Sequence, residues 1–167
     1  MNIFLSVHYH LQTNLNESEV MNLLKKNVDQ ESKTIEVGFG NSSSKRFIGK
    51  IKKDTFEARL ALRYRNSFTP ILFGKIEASN NGSTDIFLKL RPHLGVKFFF
   101  LFWFLVFVGG TVSLSLSDLI AGNFFSITHL FVLIPISVFF LFTYLFKKEV
   151  KLSKETLILL LDARCLN

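Results

Sequence analysis

Residues Val96 to Ser117 read VKFFFLFWFLVFVGGTVSLSLS, and residues Phe124 to Phe146 read FFSITHLFVLIPISVFFLFTYLF. Each stretch is about 22 residues long, and a helix needs roughly 20 apolar residues to cross the hydrocarbon core of a bilayer. Between Phe98 and Phe146 there is one acidic residue, Asp118, and no Lys or Arg. The remaining residues are too few to cover two such helices in a water-soluble core. The N-terminus, MNIFLSVHYHLQTN, lacks the basic start and long apolar run of a secretory signal. The two stretches therefore read as a transmembrane helical hairpin, and they set the class of the protein.

Flanking charge gives an orientation. Lys89, Arg91 and Lys97 precede the first span, and Lys147, Lys148, Lys151 and Lys154 follow the second, while the connection Asp118–Asn123 has no Lys or Arg. Basic residues stay on the cytoplasmic side. The expectation is a multi-pass protein of a bacterial inner (plasma) membrane with both termini cytoplasmic. Cys165 is the only cysteine, so an internal disulfide is excluded. The chain divides into an α+β domain over residues 1–95, the hairpin over 96–146, and a basic segment with a short C-terminal helix over 147–167.

Outward from the hairpin the pattern changes. Ile3–Leu11 reads as a strand, and Asn16 caps a helix in which Val20, Leu23, Leu24 and Val28 repeat at helical spacing. From Thr34 onward the period is two. Thr34–Phe39 is a strand. Phe47, Gly49 and Ile51 face one way, with Lys50 and Lys52 opposite. Phe56, Ala58, Leu60, Leu62 and Tyr64 alternate with Glu57, Arg59, Ala61, Arg63 and Arg65, the clearest half-buried strand of the chain. Ile71–Ala78 and Thr84–Leu90 flank Asn80-Asn81-Gly82-Ser83, a strong hairpin turn. Glu155–Leu166 reads as a final helix, with a strand over Leu157–Leu161 as the alternative. The fold class is thus an α+β membrane protein, a small antiparallel sheet or barrel with an inserted hairpin. The element order resembles the helix-grip layout of START-like domains, and a pleckstrin-like sheet with a closing helix fits the same order. Fold alone does not establish function.

No catalytic constellation appears. His8 and His10 share a strand face, yet lack a third metal ligand nearby. His93 sits alone near the membrane entry, and Gly38-Phe39-Gly40 is too short for a phosphate loop. The basic strands carry more information. Arg59, Arg63 and Arg65 lie on one strand face, joined by Lys50, Lys52, Lys75, Lys89 and Arg91 from neighbours. Such a surface reads either as solvated charge, as a contact for anionic lipid, or as a pocket for a small anion held by guanidinium groups. The ligand set expected is Arg59, Arg63, Arg65, Asn66 and Lys75, with no cofactor and no metal. The modest charge excess and absence of a recognition motif argue against nucleic acid as a partner.

Within the first span, Gly109, Ser113 and Ser117 recur every fourth residue beside Gly110, a small-residue face suited to close helix packing or to a homo-oligomer. Pro135 is expected to kink the second span, with Ser137 satisfying a freed carbonyl. His129 is an ionisable residue toward the outer end.

One string carries a family resemblance: Arg63-Tyr64-Arg65-Asn66-Ser67-Phe68-Thr69-Pro70, followed by Ile71 and by Gly74-Lys75-Ile76. It resembles a YRNSF-x-P pattern in a family of small bacterial two-helix membrane proteins with no established activity, although Phe56 departs from that family's spacing. The resemblance implies the architecture and a bacterial setting. The functional expectation is a non-enzymatic, membrane-anchored protein whose sheet domain binds anionic lipid or a small anionic ligand. The alternatives are an accessory subunit of a membrane complex, and a nucleotide-responsive, membrane-disrupting effector of antiviral defence. The last borrows from effectors that pair a two-helix anchor with a small barrel, in which the anchor comes first.

Overall fold

The computed structural model describes residues 6–30, 45–62, 66–79, 82–123, 130 and 133–166. The expected strand Thr34–Phe39, the residues Arg63, Tyr64 and Arg65, and His129 lie outside them. Among the described residues the fold is α+β, with a seven-stranded mixed sheet and three helices. In chain order the elements are β1 (Val7–Thr13), α1 (Glu17–Asn27), β2 (Val28–Asp29), β3 (Phe47–Ile51), β4 (Thr55–Leu60), β5 (Ile71–Ala78), β6 (Thr84–Arg91), α2 (Leu94–Ile120), α3 (Leu133–Leu161) and β7 (Ala163–Cys165). Contacts divide the chain into a sheet unit, Met1–His93 with Lys148–Asn167, and a helical unit, Leu94–Lys147.

In the sheet unit the strand order is β2-β3-β4-β5-β6-β1-β7. Only β2 and β3 run parallel; the other pairs are antiparallel. The order is linear, so the sheet is open, and the barrel alternative does not apply among the described residues. Paired residues share a face. One face carries Leu11 and Thr13, Thr84, Ile86, Leu88 and Leu90, Leu72 and Ile76, Phe56 and Ala58, and Phe47; all are buried. Gly74 stands on this face because the Phe56 ring fills the space a Cβ would need. Two helical pieces supply the rest of the core. Helix α1 buries Val20, Met21 and Leu24, and the end of α3 buries Leu157 and Leu161. The hydroxyl of Thr13 donates to the Leu161 carbonyl at 2.7 Å.

Local chemistry explains the ends of α1. Its N-cap is Asn16, whose Oδ1 accepts from the Glu19 amide at 2.9 Å, while Glu19 Oε2 accepts from the Asn16 amide at 2.9 Å. This capping box satisfies two amides that no helix turn can reach. Lys25 and Lys26 sit in the last turn, where cations suit the helix dipole.

The end of the chain departs from the sequence reading. No separate short helix begins at Glu155. Helix α3 runs unbroken for 29 residues, and its last two turns take the place of the expected C-terminal helix. The basic run Lys147–Lys154 contains no Gly or Pro, and lysine is a good helix former. Asp162, at φ 46°, ends the helix, and β7 then pairs with β1.

In the helical unit, α2 is 27 residues long with a mean hydropathy of 2.1 over its most apolar stretch, of which 6% is buried. It meets the apolar start of α3 through phenylalanines. Phe100 stacks on Phe142 with centroids 4.4 Å apart, and both Phe100 and Phe104 approach Phe139. Pro135 falls in the first turn of α3, where its missing amide breaks no helical bond, rather than at a mid-span kink. Ser137 Oγ donates to the Leu133 carbonyl at 2.8 Å.

Candidate functional site

The second face of the sheet holds the charge. The alternation of DIFLKLR in β6 puts Ile86, Leu88 and Leu90 inward, and Asp85, Phe87, Lys89 and Arg91 outward. Register extends this into cross-strand rows. One row is Lys50, Glu57, Phe73, Lys89 and His8; the next is Thr55, Lys75, Phe87 and His10. A third is Glu77, Asp85, Gln12 and Arg164. Arg59 lies opposite Ile48, and Arg91 opposite Ile71.

Several of these groups hold one another. The Arg91 guanidinium lies 4.0 Å from the centre of the Phe73 ring, a cation–π arrangement. The His10 and Phe87 rings are stacked, with centroids 4.7 Å apart and planes within 13°. Asp85 Oδ1 lies 3.2 Å from His10 Nε2 and accepts from Gln12 Nε2 at 3.3 Å. Lys75 Nζ pairs with Glu77 at 2.6 Å, and this partner raises the lysine above its ordinary value. A shallow cleft of about 340 Å³ lies along β1 and β6, lined by His8, Tyr9, His10, Phe87, Leu88 and Lys89. A second depression, of about 390 Å³, lies at the start of α1 beside Asn16 and Glu17. There the cap already uses Asn16, and Glu17 and Glu19 make the surroundings acidic.

The chain matches no family model, no curated protein and no solved structure. Its site is therefore read from its own residues. Of the five residues expected to bind a ligand, Arg59 and Lys75 share the open face, and Lys75 is already engaged by Glu77. Asn66 lies off the sheet, in a turn, with Oδ1 accepting from the Phe68 amide at 2.9 Å and its carbonyl accepting from Thr69. It is a corner former. Arg63 and Arg65 lie outside the described residues. His8 and His10 do share a face, and among the described residues no three metal-ligating groups gather.

Phe87 is the site residue that sequence reading passed over, and His10 was weighed there only as a metal ligand. The clue in the sequence was an outward phenylalanine in the alternation of DIFLKLR; the His10 that faces it is 77 positions away, and only register joins them. In the helical unit, Gly109, Gly110, Ser113 and Ser117 are exposed, and among the described residues nothing beyond the helix's own backbone comes within 4 Å of a Cβ built at either glycine. The α2 side that pairs carries Phe100, Phe104 and the buried Thr111 instead.

Proposed function

We infer that the chain is a membrane-anchored binding protein with no catalytic role, held by a helical hairpin in the bacterial inner membrane with both termini cytoplasmic. The open sheet face takes a phosphate-bearing anion, either the headgroup of an anionic lipid or a small soluble ligand. The observation that carries this reading is the gathering of Lys50, Arg59, Lys75, Lys89 and Arg91 from four strands onto one face, against Glu57, Glu77 and Asp85. Glu77 is paired with Lys75, and Asp85 with His10 and Gln12. The surplus positive charge therefore resides among Lys50, Arg59, Lys89 and Arg91, with Glu57 as the one acid between them. Charge-assisted bonds from such groups to phosphate are about twice as strong as neutral ones.

The anchor rests on α2. A helix this apolar and this exposed suits hydrocarbon better than water. The second crossing rests on the composition of Phe124–Phe146, of which Leu133–Phe146 belongs to α3. The test is native mass spectrometry of the full-length protein released in mild detergent. A reproducible bound mass, absent from Lys89→Ala/Arg91→Ala, is expected. A clean protein mass that instead carries a second polypeptide would replace this reading with the accessory-subunit one.

The exposed Gly109, Gly110, Ser113, Ser117 face favours a second reading, the nucleotide-responsive membrane-disrupting effector, in which copies assemble through α2. That version predicts that Gly109→Leu or Ser113→Leu abolishes toxicity of the activated protein without lowering its expression. Unchanged toxicity in a well-expressed variant would count against it.

A further inference from the structure

We propose that the β1–β6 cleft is a nucleotide subsite, with the nucleobase stacked on Phe87 and the phosphate held by Lys89, His8 and Arg91. The proposal rests on the anion-binding reading of this face and names the ligand class. Three observations carry it.

Phe87 is 44% exposed in the middle of a strand whose other face is fully packed. Core packing does not account for an aromatic ring there. Its ring is held in place by the His10 stack, and His10 is fixed in turn by Asp85, which Gln12 also binds. The result is a preset aromatic platform, the device that receives a base by its π-face at about 1–3 kcal/mol per base.

The cations stand at the spacing a nucleotide needs. Lys89 follows Phe87 by two residues on the same face, about 6.8 Å along the strand. That is comparable to the reach from a base across its sugar to the 5′-phosphate. His8 pairs directly with Lys89 across β1 and β6, so both flank the same position. Neither has an ion-pair partner among the described residues. Arg91 lies two residues further, with its guanidinium plane on Phe73. A lone phosphate or a lipid headgroup would use Lys89, His8 and Arg91 but leave the Phe87 platform empty.

The cleft is also the right size. At about 340 Å³ it falls at the lower end of small-ligand sites. Its lining sets the Phe87 and His10 rings beside Lys89, as a base joined to a phosphate requires.

The experiment is equilibrium dialysis of the full-length protein in neutral detergent with labelled adenosine 5′-monophosphate. Competitors are inorganic phosphate, glycerophosphoglycerol as a headgroup mimic, uridine 5′-monophosphate and a short oligouridylate. Both mononucleotides should compete at least tenfold better than inorganic phosphate or the headgroup mimic. Phe87→Ala should weaken nucleotide binding at least tenfold while leaving phosphate binding unchanged, and Phe87→Trp should retain the nucleotide. Lys89→Ala should weaken both. Equal competition by all mononucleotide and phosphate anions, or an unchanged Phe87→Ala variant, would overturn the subsite while leaving a simple anion-binding face. Failure of every anion to bind would overturn both readings. A large preference for the oligouridylate would replace the mononucleotide with single-stranded nucleic acid.

Discussion

At Glu149 the sheet unit carries a side chain that its surroundings do not satisfy. The residue is 8% exposed, and among the described residues its Oε2 has no hydrogen-bond partner; neither does the fully buried Ser153 Oγ, one turn further along α3. A buried polar atom without a partner costs about 1–3 kcal/mol, and more when charged. Glu149→Met keeps the length of the side chain and removes both oxygens. It should raise the unfolding midpoint in mild detergent, by an amount equivalent to about 1–3 kcal/mol. A lowered midpoint would mean that Glu149 meets a partner in the assembled protein. Tyr9 gives a second prediction at this scale. Burial first, and the nearby Cys165 second, push its phenol above the ordinary value of 10.0. The unfolded chain therefore loses the proton first as pH rises. Stability from this source is complete below pH 10.0 and falls as pH climbs through the raised folded value. Thermal midpoints measured on either side of pH 10.0 should show the fall in the wild type and a shallower one in Tyr9→Phe. Identical slopes would remove Tyr9 from the account.

Helix α2 presents two contrasting sides. Phe100 and Phe104 meet α3, while Gly109 faces open space. Phe100→Ala should destabilise the helical unit by about 2 kcal/mol, roughly half the loss from a fully buried phenylalanine. Gly109→Leu should leave its stability unchanged or raise it by up to about 0.7 kcal/mol, because Leu is the better helix former. Thermal aggregation in detergent, followed by size-exclusion chromatography, distinguishes the two; a Gly109→Leu variant as unstable as Phe100→Ala would show that the small-residue side is packed. The contrast marks what was legible in the sequence. The period-two run Phe56–Leu60 announced its inward face, with Phe56 and Ala58 buried on it, whereas in Phe47–Ile51 Ile48 is buried on the face opposite Phe47 as well. The length of α3 was hidden because Lys147–Lys154 looked like an exit from a membrane. Yet Phe142, Phe146, Val150, Ser153, Leu157 and Leu161 form one buried stripe straight through it. β7 was hidden for a different reason. Three residues carry no periodicity, and their pairing with β1 is set by partners 150 to 154 positions away. The basic face was visible as alternation within single strands. The aromatic platform needed register between strands, which no single-strand pattern contains.

The whole molecule interleaves its two units in sequence: the sheet unit is begun by Met1–His93 and finished by Lys148–Asn167, with the helical unit Leu94–Lys147 between them. That order has a consequence for folding. Val150, Leu157 and Leu161 are at most 3% exposed, and each such side chain contributes about 1.5–3 kcal/mol when buried. Together they approach the whole stability of a small domain, about 5–15 kcal/mol. The β1–β7 pairing and the Thr13–Leu161 bond are lost along with them when the chain is cut. Residues 1–93 alone should therefore be unfolded or aggregated. The same residues joined through a flexible Gly/Ser linker to residues 148–167 should fold, and amide dispersion in a proton–nitrogen correlation spectrum reads this directly. A dispersed spectrum from residues 1–93 alone would refute the interleaved core. The joined protein also tests the proposed membrane attachment, through the helical unit or through the sheet face. Without Leu94–Lys147 it should leave the membrane fraction, and any residual attachment must run through the open sheet face. That attachment should appear on vesicles containing anionic phosphatidylglycerol, vanish on phosphatidylcholine, and weaken with salt, since exposed charges are screened within about 8 Å at physiological ionic strength. Attachment to both kinds of vesicle, insensitive to salt, would mean that exposed apolar groups such as Phe87 hold the sheet unit to lipid, leaving its cations without a part in membrane contact.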